Sequence, residues 1–591
     1  MAVDQSPMNK LITEHIDIWT SAVKTRSTSG RGSSKKLELY GVKKLRELIL
    51  ELAVRGKLVP QDPSDEPASV LLERIAEEKK RLVKDKLIPR TKGLPPINED
   101  EIPIDLPNGW TVVRLGELTS KLGSGSTPRG GKNAYTSEGI PFLRSQNVRN
   151  EGIKLDDIAY ISEEIHQKME NTKVLPGDVL LNITGASLGR STIFPSNLVE
   201  ANVSQHVTII RLIESQMNQF IHLGILSPLV QQLVWGRQVG MAIEGLSKKV
   251  LEMFEFPIPP IAEQHRIVAK VDELMTLCDQ LEQQTEASIE AHQMLVTTLL
   301  DTLTHSADAN ELMQNWARIS EHFDTLFTTE ESIDQLKQTI LQLAVMGKLV
   351  PQDPSDEPAA KLLKRIAEEK AQLVKEKKIK KQKALPPISE DEKPFELPNG
   401  WEWCYLQDLF SVVTDGDHQA PPKSDEGIPF LVIGNLNTGH IQFEGCNYVP
   451  AQYFDKLDWT RQPSKGDLLY TVTGSYGIPV LVSEDVPFCV QRHVAILNST
   501  ADTPVEYIQY VLRSKYSFDF ATSVATGIAQ KTVPLTGLRK MPIPLPPLKE
   551  RAEILQMIAA LIRICEQLKV NIRDSQTNQL HLTDTIVEQA V

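Results

Sequence analysis

The segment GSGSTPRGGKN, from Gly123 to Asn133, comes nearest in this chain to a motif that does chemistry. A phosphate-cradling loop needs a glycine five residues before Gly131 and a serine or threonine after Lys132, for backbone wrapping and for magnesium. Those positions hold Ser126 and Asn133, so the motif fails at both. Methyl transfer to an amino group needs Asn or Asp before a Pro-Pro-aromatic triplet. The pairs opening at Pro95, Pro259, Pro386, Pro421 and Pro546 follow Leu94, Ile258, Leu385, Ala420 and Leu545, and none qualifies. No G-x-G-x-x-G follows a strand-like run. The 12 histidines are scattered, without H-E-x-x-H or the Cys/His spacing of a metal site. His206 and His493 precede equivalent apolar runs, yet neither has the nearby partner that a general acid or base requires. A core or turn role is expected of them.

Catalytic motifs being absent, the organisation of the chain carries the information. LAVRGKLVPQDPSDEPASVLLERIAEEK from Leu52 returns as LAVMGKLVPQDPSDEPAAKLLKRIAEEK from Leu343, displaced by 291 residues. The same displacement carries LPPINEDE at Leu94 to LPPISEDE at Leu385, and the LPNGW ending in Trp110 to that ending in Trp401. GIPFL recurs from Gly139 to Gly427, PGDVLLNITG around Gly177 is echoed by KGDLLYTVTG around Gly466, and SQHVTII around His206 by QRHVAIL around His493. PPIAEQHRI at Pro259 matches PPLKERAEI at Pro546. One unit is thus a well-matched helical flank, a divergent block and a second helical segment, present twice. The flanks kept their sequence while the blocks changed.

The spacing within the flanks predicts helices. Leu45, Ile49 and Leu52 fall at i, i+4, i+7, as do Leu336, Ile340 and Leu343, with Gly56 and Gly347 placed as C-caps. The proline-rich VPQDPSDEPA turns into a second helix carrying Leu72, Ile75 and Leu82 on a charged background. After each block, Ile267, Val271, Leu274, Cys278 and Leu281 step by 4, 3, 4, 3, and Ile554, Ile558, Leu561, Cys565 and Leu568 repeat the stepping. That heptad pattern predicts long helices pairing as an antiparallel coil or bundle. The other reading is that each seam packs on its own domain. The N-terminal flank is placed to pair with the C-terminal helix.

Within the blocks, short apolar runs such as VLLNI, VTIIRL, DLLYTV and HVAIL are bounded by Gly, Asp and Asn turns, which reads as α/β or mainly β. The boundaries that follow are a helical flank over 1–109, a first block over 110–259, a central helical region over 260–400, a second block over 401–546, and a C-terminal helix over 547–591. The fold class expected is mixed α/β: two α/β domains separated by paired antiparallel long helices, in an internal pseudo-twofold repeat.

Bulk properties agree. At 591 residues the chain exceeds one hydrophobic core, and three to five domains are expected. Five cysteines, odd in number and widely spaced, argue against a disulfide framework or zinc site and suit a reducing cytoplasm. No run of about 18 apolar residues suggests a membrane span, and residues 1–36 lack the apolar stretch of a signal peptide. The net charge of −13 is awkward for a protein that binds polyanions alone.

Together, GIPFLRSQNV, KVLPGDVLLNITGASLG, EANVSQHV, FPIPPIAEQHRIV and MPIPLPPLKERAEIL resemble the specificity subunit of type I restriction-modification enzymes, from about Leu37 onward. PIPPIAEQHRIV followed by a heptad helix is the more specific signal. The resemblance implies two target recognition domains held apart by long helices, each reading one half of an asymmetric, interrupted site in double-stranded DNA. It implies two methyltransferase partners that use S-adenosylmethionine to methylate adenine. It also implies ATP-driven, magnesium-dependent translocase-nuclease partners, with no catalysis, cofactor or metal on this chain.

Reading base edges takes bidentate amides and guanidiniums on loops. The first block offers Arg129, Lys132, Arg144, Gln146, Asn147 and Arg149. In the second block the candidates are His418, Gln419, Lys423, Asn435 and Asn437, then Gln491 and Arg492 beside His493, with Gln530 and Lys531 after Gly527. Their non-identity is what two different half-sites require, and the bland reading of each is a solvated loop residue. For His206 and His493, DNA contact is the alternative to a turn role. The acidity is accommodated if partner subunits supply most phosphate contacts. A non-catalytic adaptor with two protein-binding blocks, or an enzyme with an unrecognised site, are the competing readings.

Overall fold

Leu52 and Leu343 each close a helix in the same way. The amide of Lys57 donates to Leu52 O at 3.0 Å and that of Lys348 to Leu343 O at 2.8 Å, around Gly56 at φ +67° and Gly347 at φ +68°. This left-handed turn is the predicted glycine cap. The computed structural model describes residues 7–27, 35–102, 104–238, 245–307, 309–419, 421–528 and 530–591. The chain forms two units, Met1–Ser288 with Ser575–Val591, and Ile289–Asp574.

In the first unit, helix α1 (Tyr40–Val54) buries Leu45, Ile49 and Leu52, and helix α2 (Ala68–Lys84) buries Leu71 and Ile75. The long helix α3 (Ile261–His305) begins here, with Ile267, Val271, Leu274, Cys278 and Leu281 all buried. Arg46 of α1 pairs with Asp279 and Glu282 of α3, each at 2.7 Å. Tyr40 Oη donates to Asp584 at 2.6 Å, so the N-terminal flank does pack on the C-terminal helical end, as the repeat pattern suggested.

The second unit repeats this with helices α4 (Glu330–Val345), α5 (Ala359–Lys375) and the first part of α6 (Leu548–Ala590). Ion pairs join Glu330 to Arg573, Asp334 to Lys569 and Lys337 to Glu566. One number rises as the other falls, so α4 and α6 run antiparallel. Ile554 and Ile558 join the domain core that holds Trp401 and Leu468. Further along the same seam, Cys565 sits instead in a helical cluster with Val296, Leu300, Leu336 and Ile340. Both readings of the heptad therefore hold, on successive turns of one helix.

Each block is a closed insertion between those helices. Strand Thr111–Arg114 pairs antiparallel with Glu255–Ile258, and Glu402–Tyr405 with Pro542–Leu545, which stitches the two ends of each block side by side. The first block holds a five-stranded and a four-stranded sheet, the second a three-stranded and a four-stranded one. With both ends fixed, the interior can change sequence without moving the frame, the contrast of conserved flank and divergent block expected from the repeat. The mixed α/β class is as expected. Among the described residues no group of three metal-ligating side chains occurs, and no helix is long and apolar enough to cross a membrane.

Candidate nucleic-acid interface

Two parallel strands organise the loops of each block. In the first, Ile140–Leu143 and Ala201–Val203 lie parallel, Val203 opposite Leu143. In the second, Ile428–Leu431 and Cys489–Val490 lie parallel, Val490 opposite Leu431. Parallel strands end on the same edge, so the segments after them emerge together: Ser204 N donates to Leu143 O at 2.9 Å, and Gln491 N to Leu431 O at 2.9 Å. A strand from the other sheet ends on this edge too, at Gly125 or Gly416. A Cβ on Gly125 would stand 1.8 Å from Val203 O, and one on Gly416 2.0 Å from Val490 O, so only glycine permits the approach.

In the second block this edge gathers residues far apart in sequence. Asp417 bridges Gln491, and Thr473 bridges Thr532. Val472 N donates to His493 O at 3.0 Å and Gly474 N to Lys531 O at 2.9 Å. Exposed His418, Gln419, Arg492, Gln530 and Lys531 and half-buried Gln491 therefore belong to one loop cluster. Exposed Lys423 lies on the same loop as His418, while Asn437 is exposed beyond the parallel strand. The first block builds the counterpart: Ile183 N donates to His206 O at 3.0 Å, and Thr184 bridges Gly245. Arg129 and Gln146 are exposed, and the side chain of Lys132 lies outside the described residues. Arg144 and Arg149 are half-buried, with Arg144 Nη2 donating to Asp157 O at 2.7 Å and Arg149 Nε to Gln146 O at 3.1 Å.

Asn147 and Asn435 depart from the expectation that they read bases. Asn147 is buried; its Oδ1 accepts from Arg144 N and its Nδ2 donates to Lys154 O, both at 3.0 Å. Asn435 does the same with Val432 N at 2.9 Å and Gln442 O at 3.0 Å. Both ends of each amide are engaged by backbone, and burial keeps both side chains off the exposed surface of the loop. They are staples that set the shape of the loop after the parallel strand. His206 and His493 take the turn role: His206 Nδ1 lies 2.7 Å from Thr184 Oγ1, and His493 holds the turn with its carbonyl. Burial, with Arg492 adding to it, holds the His493 imidazole below its ordinary range and favours the neutral ring.

Sequence reasoning missed two features. Gln205 stands in SQH where Arg492 stands in QRH, and its Oε1 accepts from Thr127 Oγ1, joining it to the glycine-rich loop. The internal repeat carried that signal. The second is an acid network: Asp417 accepts from Arg461 Nη1 and Tyr453 Oη, both at 3.0 Å, and His418 Nε2 lies 3.0 Å from Asp415. Burial and the neighbouring Asp417 carboxylate raise the Tyr453 phenol, which stays protonated. The network fixes the loop from which His418 and Gln419 project. No local pattern links Asp417 to Tyr453 or Arg461.

The DNA specificity domain of type I restriction modification systems matches residues 107–291 and again 398–575, on the two blocks and the helices that follow them. The chain is 42% identical to the type I restriction enzyme EcoEI specificity subunit of Escherichia coli, over 99% of this chain and 100% of that one. It is 40% identical to the EcoAI specificity subunit of the same organism, over 99% and 100%. A chain from a structure of type I restriction-modification complex assembly aligns at 18% identity and a TM-score of 0.47, over 82% of this chain and 98% of that one. Specificity subunits are the non-catalytic members of their systems, catalysis lying in partner subunits. With two copies of the domain and full-length relatives, this chain belongs to the specificity subunits of type I restriction-modification systems.

Proposed function

We propose that the two loop clusters read different halves of an interrupted DNA site, and that the long helices set the spacer between them. The observation that carries this reading is one backbone edge built twice with different side chains: Gln205 where the other copy has Arg492, and Arg149 where it has Asn437. An arginine fork suits guanine N7 and O6, and a glutamine amide suits adenine N6 and N7. Two copies of one reader would not need to differ. The adaptor reading has no counterpart to this edge.

On this reading the chain directs two methyltransferase subunits to an adenine in each half-site and recruits the translocase-nuclease subunits. S-adenosylmethionine, ATP and magnesium bind those partners, in the cytoplasm. Sequencing of modified adenines in cells carrying the complex returns both half-sites and the spacer. Exchange of residues Trp110 to Pro259 for the block of a relative should move one half of the motif. Movement of both halves would rule out independent readers.

A further inference from the structure

An acidic chain that reads DNA carries two concentrated cationic segments outside its recognition blocks. Lys84, Lys86, Arg90 and Lys92 lie at and just beyond the end of α2 against a single Asp85. Lys375, Lys377, Lys378, Lys380, Lys381 and Lys383 lie at and just beyond the end of α5 against a single Glu376. All of these cationic side chains are exposed. Among the described residues, Lys84, Lys86, Arg90 and Lys92 have no ion-pair partner, and in the second segment Lys378 alone pairs, with Glu376 at 2.9 Å.

Three observations separate these segments from an ordinary solvated face. First, the two copies differ at Leu87 and Lys378, at Pro89 and Lys380, and at Thr91 and Gln382, yet stay cationic at 84 and 375, 86 and 377, 90 and 381, 92 and 383. The cations are kept, three of them as the same lysine and one as Arg90 against Lys381, while three of their neighbours differ. Second, Lys86 and Lys377 both sit at φ +60°, in the helix-ending position where glycine is the comfortable residue, inside matching turns: Leu87 N donates to Leu82 O at 2.9 Å and Lys378 N to Leu373 O at 3.0 Å. A lysine there in both copies keeps a cation at a conformational cost.

The third is position. In the second unit, Trp459 Nε1 donates to Lys378 O at 3.1 Å, and Arg461, two residues on, holds Asp417 of the recognition loop. Gln382 Nε2 donates to Ser411 O at 3.0 Å, at the foot of strand Val412–Asp415, whose other end enters the recognition edge. Four strand residues span about 13 Å at about 3.3 Å each. That is roughly four base-pair steps of about 3.4 Å along a duplex.

We propose that Lys84–Lys92 and Lys375–Lys383 are phosphate-contacting arms, one beside each reader, that carry the sequence-independent part of DNA binding. The proposal rests on the reading that the chain reads DNA, and it refines the expectation that partners supply most phosphate contacts. A basic arm neutralises phosphates and releases counterions, so its mark is salt dependence.

The test uses the full chain assembled with its methyltransferase subunits. The probes are a duplex carrying the methylated motif and a random-sequence duplex of equal length, titrated from about 50 to 200 mM salt. The quadruple variants K84Q/K86Q/R90Q/K92Q and K375Q/K377Q/K381Q/K383Q should each make the slope of log affinity against log salt shallower. The expected change is about 2 to 3.5, with an upper limit near 0.9 per contact. Both duplexes should lose affinity alike, leaving the methylated motif unchanged, and K375R/K377R/K381R/K383R should keep the parent slope. An unchanged slope overturns the proposal. A variant complex that loses methyltransferase stoichiometry at unchanged slope assigns the arms to an acidic protein partner instead, and a loss confined to the motif duplex assigns them to base reading. If the parent complex shows no preference for its motif, the DNA-reading assignment itself falls, a result separable from all of these.

Discussion

Trp110 and Glu263 are joined by a buried hydrogen bond, the indole Nε1 donating to the carboxylate at 3.0 Å, and Trp401 and Glu550 repeat it at 3.0 Å. The tryptophan opens a recognition block and the glutamate lies in the first turn of the helix that follows it. Gly56 and Gly347 pack on the same indoles: an added Cβ would lie 2.9 Å from Trp110 Cζ2 and 3.0 Å from Trp401 Cζ2. One indole thus ties flank, block and long helix together in each unit. Burial pushes the Glu263 and Glu550 carboxyls above the ordinary range, and the hydrogen bonds they accept pull them partly back.

Those raised carboxyls fix the sign of a pH effect. A folded-state value above the unfolded one means that the folded protein binds the proton more readily, so stability falls as pH rises between the two values. E263Q and E550Q keep an acceptor for the indole and remove the titration. Their denaturation midpoints should gain on the parent as pH rises from about 4 to about 7. W401F should cost about 1–3 kcal/mol by stranding a buried acceptor.

The staples make a prediction about loops. N147A and N435A each remove two side-chain hydrogen bonds to backbone and should destabilise the domain by about 1–3 kcal/mol. N147A should relax the half-site read by the first block and N435A that of the second, as mapped by adenine modification. A base lost from recognition with no change in stability would show that the amide touches DNA.

Exchanging the paired readers should exchange chemistry. R492Q removes a fork suited to guanine, and should lower discrimination at one base of one half-site by about 1–3 kcal/mol. Q205R should alter the other half-site alone. Binding measured on duplexes varied one base at a time reads both.

The glycines at the edge leave no room for change. G125A and G416A would place a methyl group against a backbone carbonyl, and the strand ends must separate. A loss of about 1–3 kcal/mol or more is expected, with melting temperature as the readout.

The spacer should follow helix length. A helix advances about 1.5 Å per residue and a base pair about 3.4 Å. Adding two or three residues between Gln284 and Leu336 should change the unspecified spacer by roughly one base pair and leave both half-sites alone. A motif with the original spacer would refute the helix as ruler.

The sequence by itself determined the repeat, the helices of the frame and the family. These are local patterns: a heptad such as Ile267 to Leu281 and a cap such as Gly56 are written in consecutive residues, because a helix closes its hydrogen bonds within a few positions. Tertiary structure alone decided which polar residues face outward. Asn147 and Gln146 are adjacent amides of the same chemistry, and one is a buried staple while the other is exposed. What separates them is pairing between Ile140–Leu143 and Ala201–Val203, strands some sixty residues apart in the chain. Parallel pairing leaves no local mark, because each strand finds its partner through a long crossover. The meeting of Asp417, Tyr453 and Arg461 likewise exists only once the sheet has closed.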